Sequence, residues 1–370
     1  MRTITGALLL ALPLLLPVSG TATAQADITV TLLGTGSPQP SIDRFGPATL
    51  VEAGKEKLLF DCGRGATQRL GQRHIPLSAV TAVFLTHLHS DHVVGLPDLW
   101  LTGWLPTPFG HRTTPLRVWG PAGTRQMTAG LEQAYRADIR IRHGGEGLSL
   151  QGVAIQAGDV AQGVVYQHNG VKVTAFDVDH GPYIKPAFGY RIDYNGRSVV
   201  ISGDTHGNDN LVKFAKGVDV IVHEVAMAKD ELLETSATAR RIIGFHTTPE
   251  AAGAVFAQLA PKLAVYTHVV LLTTDPAIPA PTEQDLVART RTHYAGPLEV
   301  GKDLMVIEIG DTVRAISPPA PAQHGVASGA PREIPVARAT DHPAPVFLTK
   351  RGIRKPEGSI AMLPARIRGT

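Results

Sequence analysis

Residues 27–316 read as a single α/β domain. Three observations predict it. Short runs rich in β-branched residues recur along the stretch. Amphipathic or capped helical stretches fall between them. Histidines and aspartates collect where the strands end. The chain has 370 residues, 43% hydrophobic and 18% charged, the balance of an ordinary soluble globular protein.

The elements follow in order. Residues 1–26 have the pattern of a secretory leader: Arg2, an apolar run Ala7–Leu16 and the cleavage-type triplet Ala24-Gln25-Ala26. The run is short and broken by Pro13, so no membrane-spanning segment is expected after cleavage. Export to the periplasm or beyond, with a mature start at Asp27, is the expectation. Ile28–Leu33 alternates as a strand, and Gly34-Thr35-Gly36-Ser37-Pro38 follows as a tight loop. Strands near Ala48–Val51 and Leu58–Phe60 lead to Asp61-Cys62-Gly63-Arg64-Gly65 and a short helix, Ala66–Gln72. The lone Cys62 cannot form an internal disulfide and reads as a small buried side chain. Ala82–Leu85 is a buried strand, Val94–Leu101 a helix, Leu116–Trp119 a strand and Gly123–Ala137 an amphipathic helix. Trp104, Phe109 and His111, on a proline-stiffened loop, are candidates to line a substrate pocket. Strands are expected near Val153–Gln156, Val164–Gln167, Val171–Phe176, Ala187–Asp193 and Ser198–Ile201, with Asn195-Gly196 as a hairpin turn. From Ser317 the chain is rich in Pro and Ala without a hydrophobic period, the composition of a disordered tail. Residues 317–370 hold eight Lys or Arg against three Asp or Glu, a net +5. The whole chain is +3, so the remainder is −2 and has no basic balance.

The chemistry centres on Thr86-His87-Leu88-His89-Ser90-Asp91-His92, directly after the Ala82–Leu85 strand. Alternate residues of an extended backbone face one way, so His87, His89 and Asp91 can converge, with His92 nearby. Neutral imidazoles and carboxylates are the donors zinc prefers. Four donors in six residues exceed what one catalytic ion takes from a protein, which suggests two ions side by side. Three further candidates stand at the ends of apparent strands: His180, Asp204 and His268.

His87-Leu88-His89-Ser90-Asp91-His92 resembles the HxHxDH signature of the metallo-β-lactamase superfamily. The GTG loop, Ile221-Val222-His223-Glu224-Val225 and Gly244-Phe245-His246-Thr247-Thr248 resemble motifs of its ribonuclease Z-like branch, which includes secreted zinc arylsulfatases. The resemblance implies an αβ/βα four-layer sandwich and two Zn²⁺ ions, with Mn or Fe accepting the same donors. It assigns His87, His89 and His180 to one ion, Asp91, His92 and His268 to the other, and Asp204 to both. Asp61 would orient a ligand histidine, Asp91 the hydroxide, and Glu224 with His246 would protonate the leaving group. Arg44, in Arg44-Phe45-Gly46-Pro47, could bind a substrate anion, and members of the group are often dimers.

Two readings of substrate compete. A leader, an acidic folded part and only 23 residues between His180 and Asp204, too few for a long RNA-gripping arm, favour a small anionic ester, an aryl sulfate or phosphodiester, and argue against nucleic acid. The motifs themselves allow a 3′-tRNA-processing endoribonuclease. A metal-binding protein without catalysis is a third class, and its mark would be a lost ligand or proton donor.

Overall fold

The protein is described here from a computed structural model, which covers residues 26–318. All but the last residue of the expected leader and all but the first two residues of the expected tail lie outside the described residues.

The first half runs β1 Ile28–Gly34, β2 Ala48–Ala53, β3 Glu56–Phe60, α1 Ala66–Gln72, β4 Ala82–Phe84, α2 Ser90–Val93, α3 Leu96–Trp104, β5 Leu116–Gly120, α4 Thr124–Ala134, α5 Arg136–Glu146, α6 Leu150–Val153 and β6 Ile155–Asp159. The second runs β7 Gly163–His168, β8 Val171–Val178, β9 Ala187–Tyr194, β10 Arg197–Ile201, α7 Asp209–Ala215, β11 Val220–Ala228, α8 Asp230–Thr235, α9 Ala237–Ile243, α10 Pro249–Leu259, β12 Leu263–Leu272, α11 Glu283–Thr290, β13 Leu298–Val300, β14 Val306–Ile309 and β15 Val313–Ile316.

Two mixed sheets result. One has the order β15-β14-β1-β2-β3-β4-β5-β6 and the other β13-β12-β11-β10-β9-β8-β7. Their inner faces share one core, in which Phe60 and Phe84 of the first sheet meet Tyr190 of the second. Outward-facing Leu59, Val83 and Leu85 of the first sheet pack with Leu70 of α1 and Trp100 of α3. Ile221 and Tyr266 of the second pack with Leu211 of α7 and Phe256 of α10. This is the helix–sheet–sheet–helix sandwich. Strand β11 is buried at all nine positions, because parallel neighbours flank it and both faces are covered.

The hairpin prediction is met: Asn195 and Gly196 both have positive φ, 49° and 74°, as a type I′ turn requires. Two helical expectations change. The single helix of Gly123–Ala137 is two, α4 and α5, and the helix near Val94–Leu101 is offset to α3, where Pro97 occupies the first turn. A short turn, α2, begins inside the histidine motif itself.

Candidate metal centre

The histidine motif sits where β4 stops. His87, Asp91 and His92 are buried, and α2 turns Asp91 and His92 inward while His89 stands at its N-terminal edge. From the other sheet, β8 ends two residues before His180, and Gly203, at φ 62°, turns the chain after β10 so that Asp204 enters the same space. His268 arrives differently. Strand β12 does not end before it, as the sequence suggested; it continues to Leu272 with a bulge. Thr267 pairs with Glu224 and Val269 with Val225, so His268 is the extra residue, at φ 43°. The bulge swings the imidazole out of the sheet plane. It also turns the Val269 amide to the carbonyl of Thr35, 2.9 Å away, so the GTG loop braces the bulge.

The seven predicted donors converge in two groups, His87, His89, His180 and Asp204 in one and Asp91, His92 and His268 in the other, and His246 joins Asp204 and His268 in a third. Asp204 Oδ2 lies between them, 3.9 Å from His87 Nε2, 3.7 Å from His180 Nε2, 3.3 Å from His92 Nε2 and 3.2 Å from His268 Nε2. Ligands of a tetrahedral zinc, each about 2.1 Å from the ion, stand roughly 3.4 Å apart. The separations match that edge, and Asp204 occupies the shared corner.

Hydrogen bonds outside the cage fix which ring nitrogen faces inward. His92 Nδ1 donates to Asp61 Oδ2 at 2.8 Å, and His180 Nδ1 donates to the Phe245 carbonyl at 2.9 Å. The Thr86 hydroxyl lies 3.0 Å from His87 Nδ1 and donates to Asp61. Each leaves Nε2 with its lone pair directed at the cage. His92 Nε2 is buried without a hydrogen-bond partner, which is what a metal-ligating nitrogen requires. Burial, with the neighbouring imidazoles, holds His87 well below the usual histidine range; burial also lowers His89 and His180, keeping them in the neutral form that binds cations. His92 differs: burial opposes its charge, but the Asp204 and Asp61 carboxylates outweigh burial and raise it. Cation binding there displaces a proton. The residues present therefore fit a dinuclear centre.

Glu224 and His246 form the second part of the site. Glu224 is buried at 1% exposure. Its Oε1 accepts from the Thr205 and Thr247 amides, and its Oε2 lies 3.2 Å from His246 Nδ1. Glu224 thus faces His246 and fixes the orientation of that ring. Thr248 caps α10, with Pro249 in its first turn, which holds the His246 loop. The Thr247 hydroxyl donates instead to the Thr205 carbonyl.

Other candidates fall elsewhere. His223 packs on Phe256 and lies 2.6 Å from the Glu224 carbonyl. His206 pairs with Asp179. Cys62 is buried, its thiol pushed far up by burial, and is inert. Arg44 is engaged by Glu283, the Thr35 hydroxyl and the Gly301 carbonyl, so it pins the loop. Trp104, at the end of α3, is core, Phe109 lines a different cavity and His111 is exposed. Two residues had no reading. Thr86 adjoins the motif and was discoverable by position. Asp303, which accepts from Thr35, Phe45 and Arg69, carries no local signal.

Comparison with known proteins gives the lineage. Residues 56–269 match the β-lactamase superfamily domain. Ribonuclease Z of Mycobacterium marinum is 36% identical over 283 residues, covering 76% of this chain and 99% of that one. Ribonuclease Z of Mycobacterium bovis is 36% identical over 281 residues, with 76% and 98% covered. This chain belongs to the ribonuclease Z family of the metallo-β-lactamase superfamily. Among solved structures, human tRNase Z, short form, shares the fold at TM-score 0.54 and 23% identity, covering 76% of this chain and 99% of that one. YhfI from Bacillus subtilis does so at TM-score 0.58 and 17% identity, covering 75% and 98%.

Membership corrects two expectations. The favoured reading, a secreted enzyme for small anionic esters such as aryl sulfates, is overturned by the ribonuclease Z relatives, and so is the exclusion of nucleic acid. The alignment across nearly the whole of a ribonuclease Z outweighs the argument from the short His180–Asp204 segment. Net charge misled for a physical reason. It sums over the domain, whereas a substrate meets a local surface. Arg64, exposed and without an ion pair among the described residues, follows Gly63, which packs against the backbone of Asp91. What survives is coarser: a metal-dependent hydrolase of ester bonds.

Proposed function

We propose that this chain is an endoribonuclease of the ribonuclease Z type, hydrolysing a phosphodiester bond on the 3′ side of precursor tRNA, with two zinc ions in the cage. The observation that carries this is the near full-length alignment at 36% identity, and the donor set and the Glu224–His246 pair agree with it. His87, His89 and His180 would hold one ion, Asp91, His92 and His268 the other, and Asp204 both. Such a pair, when bound, supplies a water acidified toward neutrality and positive charge for the phosphate oxygens.

The chain's own groups do the rest. Asp91 Oδ2, 3.3 Å from His268 Nε2 and 3.5 Å from His92 Nε2, faces the centre of the cage, where it can accept a proton from the attacking water. His246 is tied to Glu224 through Nδ1, which leaves Nε2 to donate a proton to the leaving oxygen as its bond to phosphorus breaks.

The test uses the purified full chain, supplied with zinc, manganese or iron in turn, and a 3′-extended precursor tRNA transcript. One cut downstream of the acceptor stem, lost in His87→Ala, is expected, with highest activity in zinc. Intact RNA alongside turnover of bis-p-nitrophenyl phosphate by the same sample would overturn the reading.

A further inference from the structure

A polar cavity of about 450 Å³ lies at the end of the sheets opposite the metal centre. Lys55, Thr81 and Pro115, in its wall, immediately precede β3, β4 and β5. Those strands run parallel, and Asp61 and the histidine motif stand at the far ends of β3 and β4. Along β3 the separation is about 17 Å. The cavity is therefore distinct from the cage, and no step of the hydrolysis uses it.

Its frame is built before any ligand arrives. Glu56, in the wall, is 2% exposed. Its Oε2 accepts from the Tyr166 hydroxyl at 2.7 Å, and its Oε1 accepts from His168 Nδ1 at 2.8 Å and Asn169 Nδ2 at 2.6 Å. These bonds tie the β2–β3 turn of one sheet to β7 and the β7–β8 turn of the other. Glu56 is thus committed to the frame.

The wall holds three permanent cations, Lys55, Arg112 and Arg117, against this one carboxylate. Arg112 is 5% exposed and donates to the Trp100 and Leu99 carbonyls, but it has no carboxylate partner among the described residues, and its Nε has no hydrogen-bond partner there. A buried cation without a counter-ion leaves its surroundings positive. Lys55 and Arg117 are exposed and also lack an ion pair among the described residues. Two positive charges are left over. The Thr114 hydroxyl and the Gln156 amide, unengaged among the described residues, add donors beside them.

We infer that this cavity is a binding site for a dianionic phosphate group, free or as the monoester end of a small molecule. The surplus of two cations matches the charge of a phosphate monoester. The guanidinium of Arg117 supplies a fork that suits two phosphate oxygens, and Lys55 supplies a point charge. The volume exceeds what phosphate alone fills, so an attached group has room. The inference is independent of what the metal centre cuts.

Inorganic phosphate is titrated calorimetrically into the zinc-loaded full chain at pH 8 and constant ionic strength. Phosphate held at the metal centre is a separate event, recognised by its loss in His87→Ala. The event at the cavity should persist in His87→Ala. In that background Lys55→Gln, and independently Arg117→Gln, should weaken it by about tenfold, whereas Arg117→Lys should retain most of it and Lys213→Gln, at a distant surface, should leave it unchanged. Thermal melting without phosphate reports folding of each variant. Adenosine 5′-monophosphate distinguishes the two sources: tighter binding than phosphate assigns the remaining volume to an attached group, and equal binding assigns the site to free phosphate. A phosphate isotherm that is the same with and without Lys55→Gln and Arg117→Gln, or that vanishes altogether in His87→Ala, would overturn the inference.

Discussion

His246 keeps its charge chiefly because of one neighbour, Glu224. Burial pushes its pKa down, yet the Glu224 carboxylate at 3.2 Å, with help from Asp204, raises it to about 9. A histidine raised in this way holds its proton through the neutral range and releases it as pH climbs through about 9. A rate that needs the proton falls once it is lost. Glu224→Gln removes the opposing charge and leaves burial unopposed. We expect kcat to fall about 100-fold with KM little changed, and the alkaline limb of the pH–rate profile to move to lower pH. A limb that stays near pH 9 would mean the proton comes from another group. Asp61 makes the corresponding case among the metal donors. It accepts from the Thr86 amide and hydroxyl and from His92 Nδ1, so it sets the orientation of His92 without touching an ion. Asp61→Ala should weaken metal binding by about 10- to 100-fold, measured by competition with a chromophoric chelator.

At the scale of elements, the sequence was legible where periodicity reports burial. Strands β8, β9 and β10 match their expected bounds to within two residues, since each alternates or buries a β-branched face. Helix α5 was missed because it has no buried residue. Only Ile139 packs against the core from it, and it is held partly by the Asp138–Arg142 pair at 3.0 Å, a contact that leaves no hydrophobic signature. The His268 bulge was also invisible, since a bulge is defined by the partner strand and not by the residues themselves. The seven ligand candidates were legible for the opposite reason: they are chemically rare types at motif spacing, and the fold brings all seven into the cage. Element packing also constrains the loop that braces the bulge. A Cβ on Gly34 would stand 1.8 Å from the Gly46 carbonyl oxygen, a backbone atom that cannot step aside cheaply. Gly34→Ala should lower stability by about 1–3 kcal/mol, read from the denaturant midpoint, and should weaken the metal site with it.

On the scale of the whole molecule, the two ends of the folded part are locked onto each other. Strand β1 lies between β2 and β14, and Asp303, just before β14, receives Thr35, Phe45 and Arg69 from three separate segments near the amino end. The metal cage depends on this closure, because the Thr35 loop joins Asp303 on one side and Val269 on the other. Little of it could be read in advance, since an isolated aspartate in sequence carries no record of three distant donors. Where the protein works is a separate question with a direct test. Export through residues 1–26 predicts recovery from the periplasmic fraction with Asp27 as the first residue by N-terminal sequencing. Recovery from the cytosol with Met1 intact would remove the leader and put the chain among precursor tRNAs.

The left-handed backbone at His268 bears on how such a protein could change with time. A side chain at that φ costs energy that glycine avoids. His268→Ala and His268→Gly both discard the imidazole, so the difference between them isolates the backbone. Glycine should be the more stable by about 1 kcal/mol, measured by chemical unfolding of chelator-treated protein. A descendant that abandoned its ions would feel that pull toward glycine first at this position, and a glycine here in an otherwise similar chain would mark a retired catalyst.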